Sequence, residues 1–150
     1  MSLAKMLPLA LLLAGCATLQ GFHSVEEVDL TPAQADTLAR DTVSQIAQAY
    51  PPGSTTFVLS RGGALGDALE QALRAQGYAV TLAADKKEGE GDGGERRALR
   101  YLLSPYEEGM VLSVQAGDGF QLNRLYGKTA EGVAAQSGMT VIAAPGDAHE

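Results

Sequence analysis

The chain has 150 residues, 18 of them acidic and 11 basic, for a formal net charge of −7. That excess of carboxylates argues against a nucleic-acid grip, which needs clustered Lys and Arg, and against adhesion to anionic lipid headgroups. A single cysteine excludes an internal disulfide framework, and the length suits one domain with its own core.

Residues 1–15 read as an export signal: one cation, Lys5, an apolar run at 6–13, then small residues. The run is too short to span a bilayer, which takes about 20 apolar residues. It leads into Leu13-Ala14-Gly15-Cys16, which resembles the lipobox of bacterial lipoproteins. The resemblance implies that the Cys16 sulfur receives a diacylglyceryl group. It also implies that the chain is cut before Cys16 and that the new amine is acylated. These covalent chains are the only non-protein groups expected; no cofactor or metal is. At about 0.8 kcal/mol per buried methylene, three acyl chains give essentially permanent attachment. Ala17, where an Asp would favour inner-membrane retention, leans towards the outer membrane and a periplasm-facing domain. The mature chain keeps 135 residues and a charge of −8.

Residues 16–30 read as a flexible polar tether carrying Glu26, Glu27 and Asp29. About 14 extended residues would reach roughly 45–50 Å. Thr31-Pro32-Ala33-Gln34 then places a hydroxyl at a helix N-cap, Pro at the first position and Gln at the third. Ala35, Leu38, Ala39, Val43, Ile46, Ala47 and Tyr50 recur on one helical face. Pro51-Pro52-Gly53 stops the helix. Thr55-Thr56-Phe57-Val58-Leu59 reads as a strand. Leu65, Ala68, Leu69, Ala72 and Leu73 form a second helical face, ended by Gly77. Residues 78–82 read as the strand that completes a β-α-β unit. The Gly- and acid-rich residues 85–95 read as a mobile loop.

Leu99, Tyr101 and Leu103 open a run of three strands. The second lies at 110–114 and the third carries Phe120, Leu122 and Leu125. Turns at 105–109 and 117–119 link them. Residues 127–138 read as loop or weak helix, 139–142 as a last strand and 146–150 as a tail. The pattern predicts an α+β fold, a single domain over 31–145. Its parts are an N-terminal helix, a β-α-β unit and a three-stranded antiparallel meander, forming one small mixed sheet.

Arg61-Gly62-Gly63-Ala64-Leu65-Gly66 lies between a strand and a helix, where backbone N–H groups can bind an anion. It lacks the Lys-Ser/Thr of a P-loop and the full dinucleotide spacing, so a flexible turn is the favoured reading. His23 and His149 fall in the tether and the tail, with no metal-ligand spacing. Ser44, Ser60, Ser104 and Ser113 have no nucleophile–base pattern around them. Glu107-Glu108 read as solvated turn residues. The chain is therefore not expected to be an enzyme. Arg100, Tyr106, Arg124 and Tyr126 are the candidates for partner binding, since Arg and Tyr are enriched at interface hot spots. For any one of these residues the plainer reading is favoured, with Tyr101 and Tyr126 as core and the arginines decorating the outer face. An open sheet edge is a second candidate docking surface.

Ala49-Tyr50-Pro51-Pro52-Gly53 runs into Thr-Thr-Phe-Val-Leu. Leu65-Gly-Asp-Ala-Leu-Glu-Gln-Ala-Leu-Arg-Ala-Gln-Gly-Tyr-Ala-Val80 follows. Behind a lipobox, this layout resembles the conjugal transfer lipoprotein TrbH family of mating-pair-formation systems, of the type IV secretion class. The resemblance runs to about Tyr126 and includes no catalytic signature. It does not extend to residues 85–95 or the C-terminal end. It implies an outer-membrane lipoprotein that helps assemble or stabilise the channel for plasmid transfer. Its partners would be channel subunits, with no direct nucleic-acid contact. The alternative, from another class, is an envelope lipoprotein that binds a cell-wall component or regulates wall-synthesis enzymes.

Overall fold

A computed structural model describes residues 24–60, 62–83, 95–117 and 119–142. Cys16, His23, His149 and the loop expected at 85–95, up to residue 94, lie outside the described residues. The elements in chain order are β1 (Val25–Glu26), α1 (Pro32–Ala49), β2 (Thr55–Leu59), α2 (Gly63–Ala75) and β3 (Ala79–Leu82). They continue with β4 (Glu95–Tyr106), β5 (Gly109–Ala116), β6 (Gln121–Thr129), β7 (Gly132–Ala135) and β8 (Thr140–Ile142). The fold is α+β, with two helices on an eight-stranded mixed sheet.

Local chemistry explains the first helix. Thr31 Oγ1 accepts from the Gln34 N–H at 3.3 Å, and the Thr31 N–H donates to Gln34 Oε1 at 3.0 Å. The reciprocal pair satisfies two donors that a helix start leaves orphaned. Ala35, Leu38, Ala39, Val43 and Ile46 are buried on one face, as their spacing predicts. Gly77 adopts φ +98° just beyond α2, the left-handed geometry that closes a helix.

The strand order is β3-β2-β4-β5-β6-β7. β2 pairs in parallel with β3 and with β4. β4 through β7 form an antiparallel meander. β8 pairs with β6 beyond the end of β7. Alternation then sorts side chains by face. Leu99, Tyr101, Leu103, Leu112, Val114 and Leu122 point to the helices and are fully buried. Phe57, Leu59, Leu65, Leu69 and Leu73 complete the same core. Each such side chain contributes roughly 1.5–3 kcal/mol by leaving water. One end is closed by aromatic edges: Tyr50 packs on Phe57 and Phe120 at 5.7 and 5.3 Å between ring centroids.

Three expectations need correction. The tether is not free over its last residues. Val25 and Glu26 pair in parallel with Leu102 and Leu103, and Val28 and Leu30 pack on the core. Residues 127–138 are neither loop nor helix for most of their length. β6 runs on to Thr129, and β7 returns along it. The meander therefore has four strands where three were read. The turn at 105–109 is also tighter, since only Glu107 and Glu108 lie between β4 and β5.

Thr42 is fully buried on α1, and its Oγ1 has no hydrogen-bond partner among the described residues. An unmade buried hydrogen bond costs free energy, and valine keeps the shape without the polar atom. Thr42→Val should raise the unfolding free energy by about 1 kcal/mol. The check is a higher denaturant midpoint with an unchanged slope.

Candidate functional site

Two polar clusters tie the elements together, and a third region faces out. The first is built where the N-terminal segment meets α2. Gly62 and Gly63 open that helix, with Gly63 at φ +71°. A Cβ on Gly63 would fall on the Glu26 carboxylate. The glycine thus admits Glu26 to the helix start, where Leu65 N–H donates to Glu26 Oε2 at 3.1 Å. The run read as a flexible turn does bind an anion, supplied by its own chain. Tyr101 locks the other side. Gly62 N–H donates to its hydroxyl at 3.0 Å, and that hydroxyl donates to the Gly62 carbonyl. Tyr101 N–H donates to Ser24 Oγ at 3.3 Å, and Glu27 N–H to the Leu103 carbonyl at 2.9 Å. The result is a strap that carries the N-terminal segment across β4.

Burial raises the Glu26 carboxyl above its ordinary value, against the lowering effect of the Leu65 and Ala64 N–H groups. The charges of Asp67 and Asp29 raise it further. Tyr101 is pushed up to about 12, first by burial, with Gly62 N–H opposing and the Glu26 and Asp67 charges adding.

The second cluster joins α1 to β6. Arg124 Nη1 donates to both Asp41 oxygens, at 2.8 and 2.7 Å, and the Tyr126 hydroxyl donates to Asp41 Oδ2. Arg124 Nε reaches the Ser137 carbonyl at 3.1 Å, and Ser137 Oγ accepts from Leu125 N–H at 3.0 Å. One guanidinium therefore fastens the helix, the sheet and the link between β7 and β8. Tyr126 is held well above the usual phenol range. Burial is the main cause, and its hydrogen bond to the ionised Asp41 adds to it.

The four residues expected to bind partners thus separate. Tyr126 is 1% exposed and belongs to the core. Arg124 is spent on Asp41 and Ser137. Tyr106 and Arg100 remain on the sheet face away from the helices. Tyr106 is 51% exposed; Arg100 is half-buried and has no ion pair among the described residues. Tyr106 borders a concavity of about 420 Å³ that also includes Gly109, Leu125, Gly127 and Gln136. Gly109 and Gly127 face each other across β5 and β6. A Cβ on Gly109 would meet the Tyr126 carbonyl, and one on Gly127 the Gln136 amide. The neighbouring Glu107 takes φ 49°, a left-handed geometry that costs a side-chain-bearing residue roughly 1–2 kcal/mol.

Residues missed in the sequence are Glu26 and Asp41. The glycine run signalled an anion site, but nothing local pairs it with a carboxylate 37 positions earlier. Among the described residues, no group of His, Cys, Asp and Glu is arranged to hold a metal ion. No described helix is long and apolar enough to cross a membrane.

Because the folded state raises the Glu26 pKa, it holds the proton more tightly than the unfolded chain does. The contribution of Glu26 to stability is greatest at low pH. It falls as pH rises from the ordinary carboxylate value through the raised one. Glu26→Gln keeps an acceptor for Leu65 N–H and removes the titration. Its melting temperature relative to the native chain should rise with pH across that window. Tyr126→Phe removes one charge-assisted hydrogen bond and should cost about 1.5–3 kcal/mol in chemical denaturation.

The comparisons add one match. The pattern of the family described as conjugal transfer protein TrbH matches residues 17–144. No curated protein and no solved structure matches the chain. The matched stretch takes in the strap, both helices and all eight strands, so the chain belongs to the conjugal transfer protein TrbH family.

Proposed function

We propose that the protein is an outer-membrane-anchored, periplasm-facing lipoprotein that helps assemble or stabilise a conjugative type IV secretion channel. Family membership over residues 17–144 carries this reading. Lipidation at Cys16 supplies location, and the α+β domain supplies contacts to channel subunits. The negative balance suits a protein that supports the channel and leaves DNA to others.

The strap alters the geometry of such an anchor. Only residues 17–23 separate Cys16 from the first described residue, Ser24. Seven residues span at most about 25 Å when fully extended. The reach is half that of the tether read from sequence, so the domain would work close to the bilayer.

Deleting the gene in a donor should lower plasmid transfer while growth stays normal, and the native gene should restore it. Cys16→Ser should fail to restore it, with a deficit of about tenfold or more, the scale of a lost effective concentration. In parallel, labelled palmitate should enter the native protein and not the Cys16→Ser variant. Normal transfer after deletion defeats the channel role; label in the variant defeats the lipid assignment.

A further inference from the structure

The helices cover one face of the sheet, and among the described residues no element covers the other. Register places Arg96, Arg100, Leu102, Ser113, Gln115 and Asn123 on that open face. Among the described side chains, no Asp, Glu or Lys occupies an outward position of any of the eight strands. In a chain with 18 acidic residues, a water-facing sheet face would ordinarily carry several charges of both signs. Depletion of Lys, Glu and Asp with retention of Arg and Tyr is the composition of an interface centre. Three of the four large apolar side chains that stand exposed lie on this same face: Val25 at 40%, Tyr106 at 51% and Ile142 at 52%.

We infer that the open face of the sheet is a docking surface for a protein partner that presents carboxylates amid an apolar surface. The inference rests on the proposed channel role for where the partner comes from. Charge decides the occupant. Arg100 has no ion pair among the described residues. Among the described residues the strand positions of the face hold no carboxylate; Glu107 and Glu108 lie at its end, beside Tyr106, so a second copy packed centre to centre would leave the Arg100 guanidinium of each copy unanswered. A partner carboxylate opposite Arg100 answers that charge in a partly desolvated setting. Size is adequate as well. Six strands about 4.8 Å apart, with about 3.3 Å per residue, make a face on the order of 600 Å². A standard interface uses about 800 Å² per partner.

The test uses the full chain in donor cells that carry the complete transfer system. A benzoylphenylalanine photo-crosslinker replaces Ser113, at the middle of the face, and in a control replaces Gln71, exposed on α2. Adducts from position 113, and not from 71, should contain a transfer-system protein identified by mass spectrometry. Arg100→Glu should abolish that adduct and lower transfer by about tenfold or more, the scale of losing a hot-spot arginine. Its melting temperature should stay unchanged. Arg40→Glu on α1, outside the face, should leave adduct and transfer intact. No adduct at 113, an adduct with a second copy, or full transfer with Arg100→Glu overturns the inference. An Arg100-dependent adduct with an identified envelope protein outside the transfer system keeps the docking face and defeats the channel role.

Discussion

The alternation of β4 is the constraint on which the rest of the structure depends. This strand of 12 residues pairs in parallel with β2 and β1 along one edge and antiparallel with β5 along the other. It is the seam between the β-α-β half and the meander. Its inward residues Leu99, Tyr101 and Leu103 fill the core, while Arg100, Leu102 and Ser104 face away. A slip of one residue would exchange the two sets. Arg100 would then be driven under the helices and Tyr101 would lose Gly62. Core and open surface are thus two readings of one strand.

Two carboxylates that leave water do so by different physics. Glu26 relies on backbone N–H groups at a helix start, helped by the absence of a Cβ at Gly63. Its carboxyl is still raised, so desolvation outweighs those donors. Asp41 has a guanidinium and a phenol hydroxyl, both aimed at its oxygens. With side-chain exposures of 21% and 27% for Arg124 and Asp41, that pair keeps some contact with water. Its value lies in joining elements far apart in sequence more than in raw Coulomb energy. The Glu26 contact holds a strap of two paired residues, whereas the Asp41 contact holds an 18-residue helix.

What was legible in the sequence is what local chemistry dictates. The capping box at Thr31, the stop at Pro51, the bounds of β2 and the left-handed Gly77 all follow from residues within a turn of one another. The elements missed are those that non-local partners create. β1 is two residues long, and only Leu102 and Leu103 make it a strand. β7 has small residues with no clear alternation, and the edge of β6 organises it. Arg124 and Tyr126 drew attention as interface types. They are instead tied to Asp41, more than 80 positions earlier on the helix above them, with Tyr126 buried and Arg124 keeping some contact with water. Tyr106 has no such partner among the described residues and stays outside.

The charges of this chain are segregated more than their sum suggests. Carboxylates gather on the strap, the helices and the turns, including Glu107, Glu108 and Glu131 at one end of the sheet. Arginine is the charged residue type at the described outward strand positions. On the proposed docking, such an arrangement would steer a carboxylate-bearing partner away from the acidic rim and towards the arginines of the open face. The strap bears on the same point. It runs along the β4 edge and places Val25 beside Leu102, extending the apolar part of that face. The segment that leads back to Cys16 thus borders the surface proposed for docking. A lipid anchor there would fix the orientation of the face as well as its distance from the membrane.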